Sequence, residues 1–199
     1  MVIYGAGGHA RVIISCILAN NQPVKTVFDD NLSQISPLEG AVICTYDPLI
    51  LPNEPLIIAV GDNQLRKIIA GSISHSAGNV IHPSSEIESD VKLGQGTVVL
   101  HGSIIQSSAK IGCHVIVNTR VTIDHHCVIG SFVHLAPGVI LCGNVNIGDN
   151  TLIGAGAIVV PNISIGSDCH IAAGSVITKN IPDGCTVRGN PGRIIKTVY

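Results

Sequence analysis

The chain has 199 residues, enough for one domain or two small ones, with 12% charged residues and a formal net charge of −2. That balance gives no basic footprint for nucleic acid, and 3% aromatics leave no platform for stacked bases. No apolar run reaches the ~18 residues of a membrane span, and no signal peptide is read ahead of the first strand.

The first predicted element is a strand, Val2 to Tyr4, followed by the glycine-rich turn Gly5-Ala6-Gly7-Gly8-His9-Ala10. Arg11 to Asn20 places Val12, Ile13, Cys16 and Ile17 at helical spacing, and Lys25 to Phe28 returns as a strand ending in Asp29 and Asp30. The turn fits G-x-G-x-x-A. Its glycines let backbone N–H groups approach a diphosphate at a helix N-terminus, and a carboxylate about 20 residues on suits hydroxyls. Two further strands, Ala41 to Thr45 and Leu56 to Val60, lead into Gly61-Asp62-Asn63 and a helix carrying Arg66 and Lys67. Four strands with about two helices make half a dinucleotide fold, better suited to a nucleotide diphosphate than to NAD. A tight turn with no ligand is the competing reading.

From Ile81 the pattern changes. Every sixth residue to Ile177 is aliphatic, with no insertion, which at 46% hydrophobic content arises by chance on the order of once in 10^5 trials. Four residues after each landing comes a small or β-branched position, among them Ser85, Thr97, Ser103, Cys127 and Cys169. A six-residue unit suits one strand plus a corner, and three units make a triangular coil of a parallel β-helix, with both positions inward. The expected division is residues 1–78 as a Rossmann-like α/β domain and 79–199 as the β-helix. Seven cysteines without a CxxC pair, two of them on inward positions, predict free thiols in a reducing cytoplasm.

Nine histidines are scattered along the chain, none five residues from another, so the H-x4-H pair of prism-bound zinc is missing and no metal is expected. His125 differs from the rest. It occupies an outward corner position between Asp124 and His126, where a neighbouring carboxylate can fix the imidazole tautomer and raise its basicity. A solvated polar corner is the competing reading.

The motifs GAGGH, FDD and GDNxxR, the hexads NTxxxIDHxCxIGxFxHLAPG and GNVxIG, and the closing GNPGR run along the whole chain. Together they resemble the sialic acid O-acetyltransferase and bacillosamine or perosamine N-acetyltransferase family. The resemblance implies a left-handed prism, an acetyl-CoA donor, a homotrimer, His125 as base and His134 near the CoA thioester. It also implies a nucleotide-sugar site of Gly7, Gly8, His9, Asp29, Asp30 and Gly61 with Gln64 near it, and Asn118 on the substrate side. Relatives carry an acid after the base histidine where this chain has His126, so the orienting role is open between Asp124 and His126.

With 18 residues per coil, residues 18 apart stack ~4.8 Å apart. His125 then lies between Ser107 and Gly143, with Pro161 beyond. A second column runs Pro137, Ala155, Ala173 and Pro191, with His134 beside its lower end. Two hexads separate the columns, which assigns them to different faces of one prism, so a groove using both needs two subunits of a three-fold assembly. Gly143, Ala155 and Ala173 leave room there for a pantetheine arm; serving only as stacking corners is the competing reading. The expected function is acetyl transfer from acetyl-CoA to the amine of a nucleotide-linked 4-amino-deoxy sugar, with a UDP-sugar favoured. The alternatives are O-acetylation of a sialic acid or other sugar, and a non-catalytic nucleotide-sugar-binding scaffold.

Overall fold

Four short apolar segments build the first sheet of the computed structural model, which describes residues 1–38 and 41–197. The strand β1 (Val2–Tyr4) is buried along its length and pairs in parallel with β2 (Thr26–Phe28) on one side and β4 (Leu56–Ile58) on the other. Beyond β2 lies β3 (Ile43–Cys44), giving the order β3-β2-β1-β4. Helices α1 (Gly8–Ala19) and α2 (Asn63–Ser72) follow β1 and β4. The first helix starts at Gly8, earlier than its apolar pattern, because the glycine turn is itself the helix N-terminus. Only the middle of the expected third strand pairs, and the fourth ends at Ile58 as the chain bends towards Gly61.

The prism starts at β5 (Val80–Ile81) and continues in two-residue strands, one per hexad, to β21 (Val176–Ile177). Pairing is parallel throughout with an 18-residue offset, as in Lys110 with Val128 and His134 with Leu152. Three sheets of five, eight and six strands form the faces, the eight-stranded one completed by β22 (Cys185–Arg188) and β23 (Arg193–Thr197). From Val99 onward the aliphatic landings are buried in one continuous core, each worth roughly 1.5–3 kcal/mol when fully covered. The first three landings depart from expectation. Ile81 is 36% exposed and Ile87 and Leu93 are only partly buried, because no coil lies beneath them to close the end. Inward hydroxyls are satisfied by a carbonyl one coil on: Ser103 donates to Asn118 at 2.7 Å and Thr151 to Gly166 at 2.7 Å.

The outward strand residues give each face a different role. On the eight-stranded face Val80, Val98 and Ile116 are buried in one cluster with Ile13, Ile14 and Ile17 of α1, which fastens the first sheet to the prism. On the six-stranded face Ile104 and Ile140 stay 37% and 40% exposed. The two sequence columns lie at corners and not on separate faces, because the third position of a hexad is a turn residue. Those corners bound the same six-stranded face, between strands ending at Ile123 and Leu135 and those starting at Val128 and Ile140.

Candidate active site

The glycine turn is held open from below. Gly5 lies at φ +112°, where an added Cβ would meet the Ala59 carbonyl at 3.0 Å. The Ala6 N–H donates to Asp29 at 2.7 Å, and the other oxygen of that carboxylate accepts the Asn31 N–H at 2.8 Å. Asp29 therefore braces the turn. Asp30 accepts the Tyr4 hydroxyl at 2.9 Å, and burial together with that carboxylate pushes the Tyr4 phenol up to about 12. Gly7 caps α1 without a side-chain bond, and neither Gly7, Gly8 nor Gly61 has any atom within 4 Å of where a Cβ would be. Free helix N–H groups facing open space are what an anionic ligand needs. His9 follows, its Nε2 buried and without a partner.

Gly61 brings this turn to the prism. Its carbonyl lies 3.2 Å from Nδ1 of His134, whose Nε2 lies 3.1 Å from the side-chain nitrogen of Asn118. The tautomer follows from the ends of the chain of bonds. The Thr119 N–H donates to Asn118 Oδ1 at 2.8 Å, so the Asn118 amide nitrogen faces His134 and Nε2 must accept. Nδ1 then carries the proton and donates to Gly61. Protonating Nε2 would set it against the Asn118 NH2. Burial foremost, then the nearby Arg66 charge, hold His134 down at about 4 and His9 likewise at about 4. The His9 and His134 rings lie 6.1 Å apart. Both are neutral at physiological pH, and His134 has no free N–H to offer.

Gln64 lines a cleft together with Gly61. Its Oε1 accepts from the Asn150 side chain at 3.3 Å, in this cleft of about 240 Å³ between the α2 N-terminus and the prism, with Leu152 and His170 opposite. A larger groove of about 690 Å³ lies at the foot of the Pro137 column, between Val12 and Ser15 of α1 and the corner residues Ser84, His101, Thr119 and Arg120. Thr119 joins it to Asn118.

His125 stands apart on the other corner, with its side chain 52% exposed. Its Nδ1 lies 3.0 Å from Nδ1 of His126, while Asp124 accepts the His125 backbone N–H at 2.7 Å and places an oxygen 3.9 Å from Nε2. Of the two residues flanking His125, His126 contacts a ring nitrogen at hydrogen-bond distance. Gly143 lies directly over that ring, since a Cβ there would come 2.6 Å from Cε1 and 2.8 Å from Nε2. The Gly143 N–H makes no hydrogen bond within the described residues. Ala155 and Ala173 are exposed on the far corner. Within one chain the structure joins His134, Asn118, Gly61 and His9, and leaves His125 with Gly143 at a separate edge.

Sequence reasoning missed Arg66. This side chain is 1% exposed and bonded to the prism and to its own loop. The signal was the arginine of GDNxxR, three residues before buried Ile69 on α2 and so on its inner face.

Comparison with known proteins places this arrangement. Residues 1–73 match the family model of the PglD N-terminal domain, and residues 144–179 match that of the bacterial transferase hexapeptide (six repeats). A variant of perosamine N-acetyltransferase from Caulobacter crescentus, in complex with CoA and GDP-perosamine, is similar at 33% identity with a TM-score of 0.94, covering 98% of this chain and 96% of that one. The acetyltransferase domain of PglB from Neisseria gonorrhoeae, in complex with acetyl coenzyme A, is 34% identical with a TM-score of 0.88, covering 98% of each chain. WeeI from Acinetobacter baumannii is 28% identical with a TM-score of 0.87, also covering 98% of each chain. Among curated proteins, an uncharacterized protein of Acanthamoeba polyphaga mimivirus is 34% identical over 97 residues. That match covers 46% of this chain and spans 19% of the viral protein's length.

Proposed function

The chain belongs to the hexapeptide-repeat acetyltransferase family of the perosamine and bacillosamine N-acetyltransferases, and on that premise we propose that it moves acetyl from acetyl-CoA to the amine of a nucleotide-linked 4-amino-deoxy sugar. The observation that carries the reading is His125, a ring fastened at Nδ1 with Nε2 open beneath Gly143. When Nδ1–H donates to His126, Nε2 keeps its lone pair. It takes the proton as the amine attacks the thioester carbonyl, and CoA leaves as the thiol once the tetrahedral intermediate collapses. Asp124 then lies 3.9 Å from a charged imidazolium and stabilises it. The unengaged Gly143 N–H supplies a donor for the oxyanion.

The acceptor sugar is held from the other edge. The diphosphate sits at the Gly7–Gly8 turn with His9, and Asp30 and Gly61 line the nucleotide. His134, expected near the CoA thioester, has its one N–H engaged by Gly61 and its other nitrogen by Asn118, so we place it with Asn118 facing the sugar. In a homotrimer with parallel prisms, equal heights meet. Six residues of an 18-residue coil correspond to a rise of roughly 1.6 Å, so His125 of one subunit comes between the heights of Thr119 and Pro137 of the next, nearer to Thr119, beside Asn118 and His134. The apolar residues Ile104 and Ile140 between the two corners are the surface such a neighbour covers. The pantetheine arm then runs between Gly143 and Pro161 of one subunit and Ala155 and Ala173 of its neighbour. All seven cysteines are free and four are buried, which supports a reducing, cytoplasmic setting.

The test is acetyl-CoA turnover against UDP-, dTDP- and GDP-linked 4-amino sugars together with sialic acid. The GDP arm matters because the Caulobacter relative is in complex with GDP-perosamine, while the UDP-sugar is the acceptor we favour. Turnover with sialic acid and no amino sugar would overturn N-acetylation.

A further inference from the structure

Arg66 is buried in the seam between α2 and the prism, forming no ion pair among the described residues. Its guanidinium is satisfied by neutral acceptors alone. Nε donates to the His114 carbonyl at 2.9 Å, and one terminal nitrogen to the carbonyls of Val60 at 3.1 Å and Gly61 at 3.2 Å. The other terminal nitrogen donates to Asn63 Oδ1 at 2.8 Å and the Phe132 carbonyl at 2.7 Å. Two of these acceptors are successive corners of the prism, where the His114 and Phe132 rings stack 5.1 Å apart. Of the remaining three, Val60 and Gly61 belong to the loop between β4 and α2, and Asn63 is the first residue of α2.

A buried cation that forms no ion pair is costly to bury, and five acceptors depend on this one group, so an apolar residue in its place would leave them unpaired. Its planar fork does something an aliphatic chain cannot. It fixes the loop in angle and height against two coils at once. The Gly61 carbonyl, pointed by the same guanidinium, accepts the Nδ1 proton of His134.

We propose that Arg66 is a positioning residue for the transfer reaction: it fixes the Gly61 carbonyl, which anchors the Nδ1–H of His134 and so the orientation of the ring whose Nε2 meets the Asn118 amide. This rests on the reading that Asn118 and His134 face the acceptor sugar. Arg66 thereby links the nucleotide-binding loop to the place where the amine is presented. The charged and titratable groups facing His134 are Arg66 from α2 and His9 from α1, and the positive charge of Arg66 lowers both imidazoles after burial has done so.

The test compares the wild-type assembly with Arg66→Lys and Arg66→Met. Nitrogen-15 NMR of the His134 ring reads tautomer and titration midpoint without any turnover. Steady-state kinetics give kcat and the two KM values. Both variants should weaken the Nδ1–H bond to Gly61, seen as a shifted Nδ1 resonance, since neither can hold both corners and the loop, while Thr119 and Asn118 keep Nε2 an acceptor. Only Arg66→Met should raise the midpoint from about 4, because lysine keeps the charge, and burial, the larger cause, still holds it below 6.5. In both, kcat should fall at least about tenfold, as expected when a reacting group is misplaced by a fraction of an ångström. KM for acetyl-CoA should stay unchanged, since the donor channel uses corners that Arg66 does not touch. Should Arg66→Met fail to assemble, Arg66→Lys decides by its Nδ1 resonance and its kcat. An unaltered His134 Nδ1 resonance in either folded variant overturns the proposal, and so does a shifted resonance with normal kcat. A wild-type protein that acetylates no amino sugar refutes the proposed function instead, while the NMR arm still reads the link between Arg66 and His134.

Discussion

Replacing Gly143 with alanine should disable the enzyme without unfolding it. The added Cβ would lie 2.6 Å from Cε1 and 2.8 Å from Nε2 of His125. Carbon contacts settle near 3.5–4.0 Å, so the ring must retreat by about 1 Å, and a misplacement of that size costs on the order of 10²-fold in rate. Stability should hardly change. Gly143 is outside the left-handed region, so alanine brings no backbone strain, and the 52% exposed His125 can turn into solvent. Such a surface adjustment stays within about 0.5 kcal/mol. The assay is release of the CoA thiol at saturating acetyl-CoA and sugar, beside a thermal melt. A double-mutant cycle separates the steric effect from a blocked channel: on a His125→Ala background, Gly143→Ala should cost nothing further. A kcat within threefold of wild type, or a further tenfold loss in the double variant, would refute the idea that Gly143 acts by leaving room for the base.

The remaining expectations concern the base, the assembly, the coil stack and acid stability. His125→Ala should lower kcat by at least the ~10²-fold of a positioned general base while both substrates still bind; near-normal turnover in the folded protein would remove it from proton transfer. Mixing His125→Ala chains with Ala173→Trp chains, each inactive alone, should restore part of the activity once subunits exchange. No recovery despite verified exchange would mean the site is built within one chain. Gly112→Ala should cost about 1–3 kcal/mol by overpacking, because its Cβ would meet the backbone of Gly130 and Ser131 at 2.7 Å; an unchanged urea midpoint would contradict this. His9 and His134 are held at about 4 in the fold. The unfolded chain therefore binds their protons first as pH falls below about 6.5, and stability drops until about 4. Between pH 6.5 and 5, ahead of most carboxylates, the loss should approach roughly 2 kcal/mol per histidine, and a flat urea midpoint across that window would show that the two rings are solvated.

The unbroken hexad made the prism readable, because a period of six leaves one way to bury every landing. The glycine turn and the four-strand order were legible for a similar reason, each glycine and acid following directly on an apolar strand. What sequence could not supply was the partner of each polar side chain. Asp29 read as a ligand for hydroxyls, yet one of its oxygens braces the turn through Ala6 and the other accepts from Asn31. Gln64 read as a neighbour of the nucleotide, with nothing in the sequence to say that its side chain also reaches Asn150. Arg66 passed unassigned because arginines are mostly exposed, and nothing local says that five acceptors from two parts of the chain will converge on one. Nor does the glycine count separate roles: Gly112 allows the coils to stack, whereas Gly143 leaves room for His125, and only the neighbours of a Cβ tell them apart.

The corner residues explain where chemistry can enter so regular a scaffold. From Gly96 to Gly174 the fourth residue of each hexad turns through the left-handed region, which glycine or asparagine occupies at little cost, as Gly138, Asn144, Asn150 and Gly156 do. Bulky residues occupy four successive corners instead: His114, Arg120, His126 and Phe132, at φ between 54° and 60°. Each bulky residue there costs on the order of 1 kcal/mol or more, so a chain selected for stability alone would not gather them in adjoining coils. Each has a use. The carbonyls of His114 and Phe132 hold Arg66, Arg120 lines the groove beside Asn118, and His126 fastens the ring of His125. Backbone strain is thus concentrated in the coils where the N-terminal domain docks and the His125 ring is held. The regular coils above and below provide the stability that offsets it.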